Sequence, residues 1–148
     1  MVFGMLVVVV GSVSGCAGDG PLTEREYRRA VNGVCRSATL ATAKLAPPDV
    51  TQPDRRIAVG RRAVRIQQDS LRQLQKLDAP TANERRVGRW MNLVGRTIEQ
   101  AHASLRAQEQ VDLAAAARAN AEGAVLRVRA EVIARELGVD DCTVSPPD

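Results

Sequence analysis

Apolar residues recur at steps of three and four along most of the chain, the spacing of one face of an α-helix, and the runs are separated by capping residues, Pro or Gly. The first run is Tyr27, Val31, Val34, Ala38, Ala41 and Leu45. Thr23 and Glu26 fit a capping box ahead of it, and Leu22 with Tyr27 fits the hydrophobic staple across that box. Pro47 and Pro48 stop this helix, and Thr51, Pro53 and Asp54 start the second. Ile57, Val64, Leu71, Leu74 and Leu77 line the second, which ends at Asp78, Ala79 and Pro80. Thr81 and Glu84 fit another capping box. The third helix then carries Val87, Trp90, Met91, Val94, Ile98, Ala101 and Leu105, a narrow stripe close to a heptad seam. A fourth opens at Asp112, with Leu113, Ala117, Ala121, Val125, Val128, Val132 and Leu137 on its apolar side. It closes at Gly138 in a left-handed cap, with Val139 placed for the accompanying apolar contact.

The break between the third and fourth runs is the weakest, because residues 107–112 contain neither Gly nor Pro. A continuous helix over 82–137 would be about 84 Å long, too long for a compact domain, so a turn is expected near Val111. The other connections are short, and short connections make antiparallel neighbours. The expected fold is all-α, an antiparallel four-helix bundle over residues 23–148.

Composition narrows the chemistry. The 148 residues are 45% hydrophobic but include one Phe, one Trp and one Tyr, so Leu, Val, Ile and Ala must build the core. A single His and three Cys leave no closed four-ligand zinc site unless carboxylates complete it, and the aromatics are too few for a nucleic-acid stacking platform. His102 has no companion Ser or Cys motif and sits at the edge of the third stripe, the place of a half-exposed structural histidine. Met91 and His102 lie about 16 Å apart along one helix and cannot both ligate one haem iron. No Glu-x-x-His pair repeats. Trp90 reads as core. The expectation is therefore no catalytic residue, no metal and no cofactor.

The start of the chain points to an address. Residues 1–13 are uncharged and hold a Val-rich run, followed by Val13-Ser14-Gly15-Cys16. The run is too short to span a bilayer, which takes roughly 20 apolar residues, and reads as the hydrophobic region of a secretory signal. Its exit resembles the lipobox of bacterial lipoproteins, in which an apolar residue and two small residues precede a Cys. The resemblance implies diacylglycerol transfer to the Cys16 thiol, acylation by palmitate-type chains, and removal of residues 1–15. Residues 16–22 would then be a lipidated tether. The Lys or Arg usual before the apolar region is missing, which fits a start upstream of Met1. The expected location is outside the cell, anchored to the outer face of the membrane.

With Cys16 lipidated, Cys35 and Cys142 remain. An even pair in an oxidising compartment suggests a disulfide, and two buried free thiols are the alternative. The bundle geometry constrains the pair. Cys35 lies about 18 Å along the first helix, so the tail after Leu137 must fold back, or the start of the first helix must overhang. Asn32-Gly33-Val34-Cys35, the Leu-Pro-type breaks at Leu45 to Pro48 and Leu77 to Pro80, and a final Ala134-Arg135-Glu136-Leu137-Gly138-Val139-Asp140-Asp141-Cys142 resemble a group of small exported helical proteins of actinobacteria. The resemblance implies the helical fold and the Cys35–Cys142 disulfide, and supplies no catalytic residues. Of the 21 basic residues, 19 are Arg, a usage typical of a GC-rich genome.

The net charge of +4 is uneven: residues 51–80 carry +4, whereas 111–148 carry −3. Arg55, Arg62, Arg65, Arg72 and Lys76 fall on one side of the second helix, opposite its apolar stripe. This is a solvated face or, as a functional reading, a surface for anionic lipid head groups beside the anchor. Three classes of function follow. The first is a lipid-anchored envelope protein whose bundle engages another, unidentified envelope protein. The second is a binder of a small apolar ligand or lipid. An enzyme is the third, and it needs a convergent polar set that the sequence does not offer. Nucleic acid is excluded as a partner by the export signal and the scarcity of aromatics.

Overall fold

The computed structural model describes residues 22–45 and 51–143. The leader expected over 1–15, Cys16, the tether as far as Pro21 and the Pro47-Pro48 stop lie outside the described residues. The described chain is all-helical. It comprises α1 (Glu24–Ala43), α2 (Pro53–Leu74), α3 (Glu84–Glu109) and α4 (Leu113–Leu137), with 3-10 turns over Thr81–Asn83 and Asp140–Cys142. The helices pack on one another, α3 on α4 most extensively.

Local chemistry sets the helix ends. At α1 the backbone N–H of Glu26 donates to Thr23 Oγ1 at 3.3 Å, and the Thr23 N–H donates back to Glu26 Oε2 at 3.0 Å. The Thr23 hydroxyl, and then its N–H, favour the carboxylate and hold Glu26 below its usual pKa range. α2 opens on Pro53, whose missing N–H has no helical partner to lose at that position. α2 ends at Leu74, three residues short of the expected Leu77, although Leu77 still packs on the core.

The expected Thr81 and Glu84 capping box does not form. Residues Thr81–Asn83 wind into a 3-10 turn closed by Asn83 N–H donating to the Pro80 carbonyl at 2.8 Å, so α3 starts only at Glu84. The turn is held to the start of α1 by Asn83 Nδ2 donating to Glu24 Oε1 at 3.2 Å.

The turn between α3 and α4 falls at Val111, as its length argument requires. Val111 adopts φ 59°, in the left-handed region, and is 78% exposed. A β-branched side chain is strained there, at a cost on the order of 1 kcal/mol or more. Asp112 caps the new helix by accepting the Ala115 N–H at 2.8 Å. Val111→Gly is expected to raise unfolding stability by about 1 kcal/mol, read from urea denaturation. An unchanged or lowered midpoint would contradict strain at this residue.

One hydrophobic cluster ties all four helices together. It comprises Tyr27 and Val31 of α1, Leu74 of α2, Val87 and Trp90 of α3, Ala130, Ala134 and Leu137 of α4, and Val139 beyond it. Trp90 is 2% exposed and Val31 and Val139 fully buried. Burial pushes the Tyr27 phenol up to about 12, so it stays neutral, and its hydroxyl has no hydrogen-bond partner among the described residues.

The face assigned to the fourth helix is corrected. Val125, Val128 and Val132 are 53%, 56% and 48% exposed, and Leu113, Ala117 and Ala121 are exposed too. The buried positions are instead Ala116, Ala119, Leu126, Ala130, Ala134 and Leu137; only Leu137 is shared with the expected stripe. Close packing on α3 explains the choice. A Cβ at Gly123 would stand only 3.3 Å from Gln100 Cβ, so the helices approach where α4 offers Gly and Ala, and the bulkier Val row turns outward.

The tail does fold back. Gly138 takes φ 69°, freely available to glycine, and Val139 N–H donates to the Ala134 carbonyl at 3.0 Å. The 3-10 turn Asp140–Cys142 then lies on α1, where Cys142 and Cys35 form a disulfide with Cα atoms 5.1 Å apart. Of the two earlier options, fold-back of the tail satisfies the bridge.

Candidate functional site

Five places on the described surface carry unusual residues. The first is the disulfide corner. Arg36 meets Asp141 at 2.7 Å, and the Asp141 N–H donates to Asn32 Oδ1 at 3.2 Å, so three contacts clamp the tail across α1. The Arg36 side chain is 68% exposed, and the exposed ion pair adds at most about 1 kcal/mol beside the covalent link. This corner is built for holding.

His102 lies where its position on the stripe places it, half-buried on α3. Gln68 Nε2 and His102 Nε2 lie at hydrogen-bond distance, 2.7 Å, a contact that joins α2 to α3. Among the described residues no carboxylate or nucleophile is hydrogen-bonded to the ring, and the arrangement locks orientation. Among the described residues no three His, Cys, Asp or Glu side chains gather where a metal ion could be held.

The basic row of α2 is present as a surface. Arg55, Arg62, Arg65, Arg72 and Lys76 are all exposed. Arg72 is paired with Asp69 on the same helix, which removes it from the free cations. Arg61, outside the row, bonds Glu109 at 2.5 Å and ties α2 to the end of α3. Arg56 Nε is buried and has no hydrogen-bond partner among the described residues. A second cationic place was not singled out from the sequence. Arg85, Arg86 and Arg89 with Ala82 line an open groove of about 520 Å³ at the start of α3. The signal was there, since Arg85 and Arg89 are four residues apart and therefore neighbours on one face.

The outer side of α4 is the fifth place. A helix of this length normally turns an apolar stripe inward and a charged side outward. α4 has Ala116, Ala119, Leu126, Ala130 and Ala134 inward, and Ala114, Ala117, Ala121, Val125, Val128 and Val132 outward. Its outward side is thus about as apolar as its buried side, unlike those of α1, α2 and α3.

Comparison with models of known protein families, with curated proteins and with solved structures finds no match to this chain. No helix among the described residues is long and apolar enough to cross a membrane.

Proposed function

We propose that the chain is an exported lipoprotein, anchored through Cys16 to the outer face of the membrane, whose antiparallel four-helix bundle is an interaction module. The observation that carries the module reading is the outward apolar row of α4, a face of the kind that marks an association site when it is contiguous. Contact order along the helices supports the antiparallel arrangement. Arg61 meets Glu109 and Gln68 meets His102, and the start of α4 lies past the end of α3 while Glu136 near its end reaches Arg86. The disulfide supports an oxidising compartment, where such bonds persist.

A second reading concerns the membrane itself. Arg55, Arg62, Arg65 and Lys76 are exposed and make no ion pair among the described residues, so α2 offers positive charge to anionic head groups beside the anchor.

The anchor is tested by growing cells on a fatty-acid analogue and reading label on the protein. The native chain is expected to carry label and to sediment with membranes, and Cys16→Ala to lose both. Persistent label on Cys16→Ala would refute the assigned site.

A further inference from the structure

The outward row of α4 has the spacing of a helix–helix seam. Ala114, Ala117, Ala121, Val125, Val128 and Val132 follow at steps of three and four, all exposed, over about 27 Å of helix. A helix apolar on both sides is covered on both sides, and only the inner side meets α3. The charges along one edge of the seam indicate what covers it. Arg118, Glu122 and Arg129 are exposed and have no ion-pair partner among the described residues, and Glu136 completes the row, reaching Arg86 at 3.7 Å.

Their signs alternate along the helix: positive, negative, positive, negative. When two identical helices run antiparallel about a two-fold axis, the same edge of each faces the other. The midpoint between Glu122 and Arg129 and the midpoint between Arg118 and Glu136 fall only about 2 Å apart along α4. A single axis therefore brings Glu122 to the second copy's Arg129 and Arg118 to the second copy's Glu136. The same axis sets Val125 of one copy against Val128 of the other, in the middle of the seam. We propose that the outer face of α4 binds a second copy of this chain, α4 against α4, antiparallel about a two-fold axis near residue 126.

A lipid surface fits less well. The seam has no aromatic residue, and Glu122 and Glu136 border it, whereas interfacial helices combine Trp, Phe or Leu with a basic edge. The seam is small. One helix pair about 27 Å long is a small interface beside the roughly 1,200 Å² that stable complexes bury, so association is weak and reversible in solution. Confinement to one membrane surface raises the effective concentration of copies and favours the pair. That last step rests on the anchored reading above; the association of the helices does not.

The test uses the mature chain, residues 16–148, carrying Cys16→Ser, which stays in solution without the apolar leader or the anchor and keeps the Cys35–Cys142 disulfide. Sedimentation equilibrium is expected to show a reversible monomer–dimer equilibrium at micromolar to millimolar concentration. Glu122→Arg faces a positive charge with another at two symmetric places and is expected to raise the dimer dissociation constant at least about tenfold. Adding Arg129→Glu to the same chain restores the opposite signs and should return the constant to within about threefold. The two positions are seven residues apart and do not touch within one chain, so this rescue has no intramolecular explanation. Circular dichroism checks that each variant stays helical, and Val128→Glu, a carboxylate at mid-seam, serves as a second disrupting change. A chain that stays monomeric throughout, or a dimer indifferent to Glu122→Arg and to Val128→Glu, would overturn the proposal. Because Cys16 is absent from the assay, its outcome is independent of fatty-acid labelling.

Discussion

Removing the Cys35–Cys142 bridge is expected to lower the thermal midpoint by roughly 12–25 °C. The bridge closes 107 residues of sequence separation, and loop-closure entropy for that length is worth about 4 to 5 kcal/mol at 25 °C. For a domain of this size each kcal/mol moves the midpoint by roughly 3 to 5 °C. The structure adds a reason for an effect near the upper end. α1 is joined to α2 and to the Asp140–Cys142 turn, and its packing on the remaining helices is sparse outside the cluster around Tyr27 and Val31. Without the bridge, the tail is held to α1 by the Arg36–Asp141 pair and the Asn32 bond, both exposed, and by Val139 in the cluster with Tyr27 and Val31. The paired change Cys35→Ala with Cys142→Ala, followed by differential scanning calorimetry, measures the loss without a reductant. A shift under 3 °C would show that the tail is not what fastens α1.

Trp90→Ala is expected to cost about 3 to 5 kcal/mol, the range for truncating a buried aromatic. Trp90 is 2% exposed and lies in the cluster to which α1, α2, α3 and α4 all contribute. Its neighbours in that cluster include Ala130 and Ala134, short side chains that cannot reach into the space it vacates, so the cavity term adds to the lost transfer energy. Against a total stability of 5 to 15 kcal/mol, the change leaves a marginal fold. Urea denaturation followed by far-UV circular dichroism is the measurement, because the variant has lost the fluorophore. A loss below 1 kcal/mol would mean that the cluster is not the core.

The helices themselves were legible because their ends carry local signals. Thr23 with Glu26, Pro53, Asp112 and Gly138 each act through bonds or φ values set within a few residues. The tripeptide Thr81–Asn83 misled because a capping box and a 3-10 turn after a proline share the same residues; the Pro80 carbonyl took the Asn83 N–H. The face of α4 was illegible for a different reason. It offers two apolar rows at helical spacing, and hydrophobicity alone selects the bulkier one. What decided was the distance to α3, a tertiary quantity that favours Ala and Gly123 where helices approach. The inward-turned row of small residues thus left the Val row outside, and the residues misread as core became the candidate surface. The α2 cations were legible one by one, but pairing of Arg72 with Asp69, and of Arg61 with Glu109, could be seen only in three dimensions.

The α4 face is tested most directly by mixing two variants of the Cys16→Ser chain, Glu122→Arg and Arg129→Glu, each predicted to be monomeric alone at concentrations where the parent dimerises. Mixed in equal amounts, they regain both charge pairs across an antiparallel two-fold seam. The predicted result is a heterodimer at about the parent's affinity. Two variants that remain monomeric when mixed, while the parent dimerises under the same conditions, would contradict the antiparallel α4 pairing.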